Sequence, residues 1–258
     1  MEVFLIILGI VAFLITIFFI IFDEAILIFW YLVDKRNYKN KLIRKFTKKN
    51  QSIYIIGSIH GGHFRSKDYS HMHLKAALEN IKPDLLLVES RQEEVENGNL
   101  GDGPFEMLYL HLLAKDLGIP VKGIDWFKVN NDKPGTTTNE RDEKITQNIV
   151  RESEGYKKVL VVVGAAHMII DSKKLRKRGY KRIRLCREDL RRIYTNIDDE
   201  MVYHADTIKY IEKRIECEKN LLETIKLDEV WRTRIEMIVD KLEKFTVIVE
   251  EYNKKDVA

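Results

Sequence analysis

The chain has 258 residues, 45% of them hydrophobic and only four of them proline, which allows one catalytic-size domain with an appendage and excludes wholesale disorder. Its 44 bases and 40 acids leave a net charge of +4, and the excess is local: residues 1–49 carry eight bases and four acids, so residues 50–258 are formally neutral. A neutral domain argues against a nucleic-acid partner, and two isolated cysteines, Cys186 and Cys217, exclude a disulfide framework and suit a reducing compartment.

From Val3 to Phe22 no residue is charged, a length that crosses a bilayer as one helix. Asp23 and Glu24 interrupt it, and Ala25 to Val33 resumes the apolar character, with Trp30 and Tyr31 suited to a membrane interface. Residues 1–34 therefore read as a transmembrane anchor. Glu2, the lack of a basic start and the absence of a small-x-small site argue against a cleaved signal peptide. Residues 35–50 form a basic juxtamembrane segment, with Lys35, Arg36, Lys39, Lys41, Arg44, Lys45, Lys48 and Lys49 and no acid. Such a block marks the cytoplasmic side and can lie on anionic headgroups. The expected topology is a single-pass membrane protein, in contact with lipid through its N-terminal helix and basic segment, with the soluble domain in the cytoplasm.

Residues 51–200 alternate between strand and helix patterns. Ser52 to Gly57 reads as a strand, Arg65 to Ile81 as a helix stopped by Pro83, and Asp84 to Glu89 as a buried strand. Pro104 to Leu117 reads as a helix and Val121 to Asp125 as a short strand. A loop over Trp126 to Thr138 leads to a helix from Asn139 to about Ser153. Val159 to Val163 is the most strand-like segment, followed by a short helix from Lys173 to Arg178 and a last strand near Arg182 to Leu185. This order predicts an α/β fold, a mainly parallel sheet flanked by helices. Residues 201–258 read as a C-terminal extension of amphipathic helices. One row is Ile208, Ile211, Ile215, Leu222 and Ile225, and the other is Trp231, Ile235, Ile238, Leu242 and Phe245. These helices pack on the domain or on each other, or form a short coiled coil that holds a homodimer.

Four strand-like runs end in reactive side chains. Gly57-Ser58-Ile59-His60 and Gly164-Ala165-Ala166-His167 repeat one motif, and the other two ends are Glu89 and Asp125. In a parallel sheet all four gather at one carboxyl edge, where open α/β sheets place their sites. Histidine at such an edge carries a proton or binds a metal. His60 opens His60-Gly61-Gly62-His63, a turn whose amides can approach a substrate, and His63 is a weaker candidate beside it. Glu89 follows four apolar residues and needs a partner, for which Arg91 is the nearest candidate. Asp125 can hold an imidazole or share a metal. His71 and His73, two apart on a helix, read as surface residues. Arg141 and Asp142 read by spacing alone as a solvated helix start, whose acids suit the helix dipole.

The order Gly57-x-x-His60, strand-end Glu89, Arg141-Asp142 at a helix start and strand-end Gly164-x-x-His167 resembles the TraB–TIKI superfamily, which takes in the erythromycin esterase and ChaN-like families. The resemblance spans roughly Ile53 to Ile170. It departs from the family pattern at Ile145, where a methionine is frequent, and in the short stretch between Glu89 and Arg141, which leaves no room for a large cap. The resemblance implies hydrolysis, since members include metal-dependent proteases and an esterase regarded as metal-independent. In the metalloprotease-like form, His60, Glu89 and His167 would hold Mn²⁺, Co²⁺ or Zn²⁺, Arg141 would stabilise the oxyanion, and Asp125 and Asp142 would support. In the metal-free form, His60 would take a proton from water, with Glu89 orienting it and His167 and Arg141 on the carbonyl oxygen. The substrate would be a peptide or a small ester. A third alternative is a membrane-tethered protein that only binds a peptide signal or a haem-like ligand.

Overall fold

Uncharged, apolar runs such as Leu85-Leu86-Leu87-Val88 and Val159 to Val163 have no polar face to offer water, so they form inner strands covered on both sides. A computed structural model describes residues 11, 38–64, 66–98, 100, 103–126, 139–195, 197, 207–224 and 227–255. The strands are β1 (Ile43–Lys48), β2 (Gln51–Ser58), β3 (Leu85–Val88), β4 (Val121–Gly123), β5 (Lys158–Gly164) and β6 (Lys181–Ile183). They form one six-stranded sheet in the order β4-β3-β5-β2-β1-β6. β4, β3, β5 and β2 are mutually parallel, and β1 runs antiparallel to both β2 and β6. The predicted α/β architecture with a mainly parallel sheet is what the chain adopts.

After a single helical turn at Tyr38–Lys41, the helices are α1 (His71–Ile81), α2 (Gln92–Glu96), α3 (Phe105–Asp116), α4 (Asn139–Glu152), α5 (Ala165–Lys177), α6 (Arg187–Ile193), α7 (Thr207–Thr224) and α8 (Glu229–Lys255). α3 packs on β3 and β4 and against α1, while α5 lies on β2 and β5 and against α4. Phe46, Ile53, Ile55, Leu86, Leu108, Ile145, Val161 and Met168 are fully enclosed in the resulting core. α1 ends where Lys82 takes a left-handed conformation, φ 49°, just before Pro83. α5 begins at Ala165, directly after β5, not at Lys173 as its weak periodicity suggested. His167 therefore sits in the first turn of a helix.

Within the basic segment expected at residues 35–50, Ile43–Lys48 form β1. Ile43 and Phe46 are buried in the sheet, and Arg44, Lys45 and Lys48 belong to the strand that pairs with β2. Lys45 lies over the Tyr54 ring and Lys48 over the Tyr180 ring, with the Lys48 ammonium donating to the Arg178 carbonyl at 2.8 Å. Two apolar side chains at strand positions outweigh the charge of their neighbours, whose stems and ammonium groups find partners at the sheet surface. Residues 39–258 cluster as one compact unit and residues 1–38 as another. The anchor expected from Val3 to Phe22 lies, apart from Val11, outside the described residues, as do Trp30, Tyr31 and the loop after Trp126. Among the described residues no helix is long and apolar enough to cross a membrane.

The C-terminal helices α7 and α8 pack against each other, and α7 also packs on α3. Tyr210, Ile211 and Cys217 of α7 and Ile235, Val239, Leu242, Phe245 and Val249 of α8 are buried within the chain. Of the amphipathic rows Ile211, Ile235, Leu242 and Phe245 are thus spent on intramolecular packing, while Ile208, Ile215, Leu222, Trp231 and Ile238 stay partly exposed. Arg214 fixes the attachment. Its guanidinium, fully enclosed, donates to the Leu100 and Gly103 carbonyls and pairs with Glu218.

Candidate functional site

The sheet order sets out the reactive strand ends in a row. Reading β4-β3-β5-β2, the carboxyl edge presents Asp125, Glu89, His167 and His60. Adjacent strands are separated by roughly 4.8 Å, so side chains from neighbouring ends are within reach of one another.

Both motif glycines serve close approach. A side-chain carbon on Gly57 would stand 3.0 Å from the Cα of Ala165 and 3.2 Å from the Met168 sulfur. One on Gly164 would stand 3.1 Å from Nε2 of His60 and 3.3 Å from Oε2 of Glu89. Contacts this tight admit a methyl group only if the neighbours give way. The glycine of each motif therefore admits the other motif: Gly57 lets α5 close on β2, and Gly164 lets the His60 imidazole and the Glu89 carboxylate sit over the end of β5.

His60 takes a left-handed conformation, φ 50°, and its amide donates to Ser58 Oγ at 2.9 Å. Its Nδ1 faces Oε1 of Glu106 at 2.8 Å, and Ser58 Oγ donates to the same oxygen. Glu106 is enclosed in α3, while the His60 side chain is 51% exposed. With Nδ1–H donating to the carboxylate, Nε2 is turned toward Gly164 and Glu89. Burial disfavours the imidazolium, but the Glu106 charge and hydrogen bond, with Glu89, prevail and raise the His60 pKa to about 9. The same pairing holds the Glu106 carboxyl well below the usual carboxylate range against its burial.

His167 repeats the arrangement. Its Nδ1 meets Oδ1 of Asp142 at 2.6 Å, and its Nε2 stands 3.3 Å from Oε1 of Glu89 and 3.3 Å from Nη1 of Arg141. Burial opposes its charge, and Asp142 and Glu89 outweigh burial and raise its pKa. Arg141, from the first turn of α4, ties the row together. Nε donates to Oδ1 of Asp125 at 2.8 Å, and Nη2 donates to Oδ2 of Asp125 at 2.7 Å and to Oε1 of Glu89 at 3.0 Å. Oε2 of Glu89 accepts from the Gly164 amide.

The sequence-predicted residues His60, Glu89, Asp125, Arg141, Asp142 and His167 are thus brought together. Arg91 is not the partner of Glu89. It pairs with Glu94 at 3.1 Å, one turn along α2, and Arg141 takes the role expected of it. His63 is directed inward: the Ile59 amide donates to its Nε2 at 3.1 Å, and its Nδ1 donates to the Tyr69 carbonyl at 2.8 Å. It shapes the turn that carries His60, and its burial lowers its pKa. His71 and His73, expected at the surface, are buried at 1% exposure each, because α1 is covered both by the aromatic group of Phe64, Phe105 and Tyr109 and by Tyr194.

Glu106 escaped the sequence reading. Its signal was a lone acid among Phe105, Met107, Leu108, Tyr109 and Leu110, a position that helix packing encloses. Asp171, one turn beyond His167 on α5, was also missed. It accepts from Thr146 Oγ1 at 2.6 Å, and burial pushes its pKa up to about 7.

Among the described residues no group of three or more His, Cys, Asp or Glu side chains gathers closely enough to hold a metal ion. Both Glu89 oxygens are engaged, by Arg141 and by the Gly164 amide, and the Arg141 cation stands at His167 Nε2. No protein-family model matches the chain, and neither a curated protein nor a solved structure is similar to it.

Proposed function

We propose that this carboxyl edge hydrolyses an ester or peptide bond, in the manner of a TraB–TIKI-like or erythromycin-esterase-like hydrolase. The observation that carries the reading is the paired imidazoles. Each is held at Nδ1 by an enclosed carboxylate, Glu106 for His60 and Asp142 for His167, with Nε2 of each turned toward Glu89. A carboxylate on Nδ1 fixes the tautomer and strengthens Nε2 as a base.

His60, half exposed, is the general base: Nε2 takes a proton from water as that water attacks the carbonyl carbon. Negative charge developing on the carbonyl oxygen falls to Arg141, with His167 beside it. The imidazolium of His60 then returns its proton to the leaving alkoxide or amine. Glu89 and Asp125 hold the guanidinium in position without touching the reacting atoms.

The metal-dependent alternative, with Mn²⁺, Co²⁺ or Zn²⁺ on His60, Glu89 and His167, draws support from charge. Glu89, Asp142 and Glu106 face two imidazoles whose pKa values are raised, and a cation would replace those protons. It requires Arg141 to leave Glu89. The Val3–Phe22 segment supports the further proposal of a membrane-tethered enzyme with this domain on the cytoplasmic side.

The test is a screen of 4-nitrophenyl esters and acyl peptides with the wild type, the His60→Ala variant and the His167→Ala variant, before and after dialysis against a chelator. Turnover that needs both histidines and survives metal removal is expected. Turnover that is lost on dialysis and restored by Mn²⁺, Co²⁺ or Zn²⁺ transfers the reading to a metallohydrolase. A wild type inert toward every substrate, with or without metal, overturns hydrolysis.

A further inference from the structure

We infer that Asp171 of α5 stands in the fold as a neutral carboxylic acid that donates to Thr146 and so positions the Asp142–His167 pair, a role in catalysis that rests on the hydrolase reading of the same site. The proton itself is argued from the geometry alone.

Asp171 belongs to a ladder of two rungs between α4 and α5. Asp142 and Thr146 stand one turn apart on α4, and His167 and Asp171 stand one turn apart on α5. The first rung joins Asp142 Oδ1 to His167 Nδ1 at 2.6 Å. The second joins Thr146 Oγ1 to Asp171 Oδ1, also at 2.6 Å. Thr146 Oγ1 lies 2.9 Å from the Asp142 carbonyl oxygen as well, so the second rung touches the residue that makes the first.

The Thr146 hydroxyl has a single hydrogen and faces two oxygens, and the 2.6 Å contact can run either way, because a hydroxyl both donates and accepts. Thr146 and Asp171 are both fully enclosed, and among the described residues Oδ2 of Asp171 has no hydrogen-bond partner. An ionised Asp171 would hold its charge on that one hydroxyl hydrogen, drawn away from the Asp142 carbonyl. The charged groups that face it do not compensate. Asp142 and Glu89 repel it, and His167, the only one of the three that can carry positive charge, commits its Nδ1 to Asp142. A buried carboxyl in that position takes up a proton instead of staying charged, in keeping with a pKa that burial pushes up to about 7.

With the proton on Oδ1 the hydrogens run in one direction, from Asp171 to Thr146 and from Thr146 to the Asp142 carbonyl. Each of them then has an acceptor. The chain ties α5 to the turn of α4 that carries Asp142, and so holds the carboxylate that orients His167.

The experiment has a proton arm and a kinetic arm, each on the full chain as wild type, Asp171→Asn, Asp171→Ala and Thr146→Val. In the proton arm, infrared spectra at about pH 6, where ordinary carboxyls are ionised, should show the carbonyl band of a protonated carboxyl in the wild type and lose it in Asp171→Asn. Urea titrations supply a second reading. A carboxyl whose folded pKa is raised from 3.8 to about 7 loses stability as pH rises between those values and none above them. The unfolding midpoint of Asp171→Asn relative to wild type should therefore climb over that window and then level. In the kinetic arm, with the 4-nitrophenyl ester that the wild type turns over best, Asp171→Asn should keep kcat near wild type, because its amide donates to Thr146 in place of the acid. Asp171→Ala and Thr146→Val should lose about tenfold or more in kcat. A wild type without the band, or midpoints that stay parallel, overturns the proton. The band with full kcat in Asp171→Ala, or with as large a loss in Asp171→Asn, overturns the positioning role and leaves the hydrolase intact. The band without turnover of any ester overturns the hydrolase and keeps Asp171 as a protonated carboxyl.

Discussion

Arg141 grips Asp125 through two parallel hydrogen bonds, Nε to Oδ1 at 2.8 Å and Nη2 to Oδ2 at 2.7 Å, while Nη2 also reaches Glu89. The fork fixes the plane of the guanidinium and so the direction of Nη1 toward His167. Lysine has no such plane. Arg141→Lys should keep the fold and lower kcat by about 10²–10³-fold, the usual loss on removing an oxyanion donor. Arg141→Ala leaves two buried carboxylates without their cation and should cost about 3–5 kcal/mol in urea unfolding. A lysine variant with wild-type kcat would remove Arg141 from the chemistry.

The His60–Glu106 pair sets the pH response. With its pKa raised to about 9, His60 acts as a base only as it loses its proton, so kcat/KM should climb with pH and level above about 9. Glu106→Gln removes the charge that holds the proton and should shift the rising limb to lower pH, with a lower plateau. Stability follows the opposite direction. A raised histidine pKa contributes fully below its ordinary 6.5 and is lost as pH rises through about 9. The depressed Glu106 contributes above its ordinary 4.5 and is lost only as pH falls through its folded value. The stability gap between wild type and Glu106→Gln should therefore narrow from pH 6.5 to pH 9 in denaturant titrations. A gap that widened over that window would contradict the pairing.

Gly164→Ala tests whether the second motif glycine is there for the first motif's histidine. The added methyl meets Nε2 of His60 and Oε2 of Glu89 at 3.1 and 3.3 Å, while the backbone of Gly164, φ −53°, suits alanine. Activity should fall by more than about tenfold, since small misplacements of reacting groups are costly. Unfolding stability should fall by about 1–3 kcal/mol, the scale of overpacking. An active Gly164→Ala protein would show that His60 is not held over β5 during turnover.

Arg214 links the C-terminal helices to the site at one remove. It fastens Leu100 and Gly103, and Gly103 lies three residues before Glu106. Arg214→Met should destabilise by about 3–5 kcal/mol, because Glu218 stays behind in an enclosed position. Adding Glu218→Leu should recover part of the loss. Circular dichroism melts of the two variants give the comparison, and a double variant less stable than the single one would reject it.

Much of this molecule was legible in its residues. Uncharged runs marked the inner strands, and their polar tips marked the edge where His60, Glu89, Asp125 and His167 meet. Proximity along the chain misled where it stood in for proximity in space. Arg91 is two residues from Glu89 yet turns to Glu94 on its own helix, whereas Arg141 arrives from α4. Spacing on α1 suggested surface positions for His71 and His73, but an aromatic group and Tyr194 cover that helix widely enough to bury both. The basic stretch before Gln51 reads as membrane-facing by charge, and Ile43 and Phe46 commit it to the sheet as β1.

The sequence by itself determined the alternation of strand and helix, the two Gly-x-x-His motifs and the reactive ends, because hydrophobic runs and glycine spacing are local properties. The tertiary structure alone decided the partners. Parallel pairing put β5 between β3 and β2, so that His167 lies beside Glu89 and Gly164 beneath His60. Helix packing brought Glu106 to His60 across 46 residues and Arg141 to Glu89 across 52. Hydrogen bonds and ion pairs of that range depend on which faces the core brings together, and no local pattern records them.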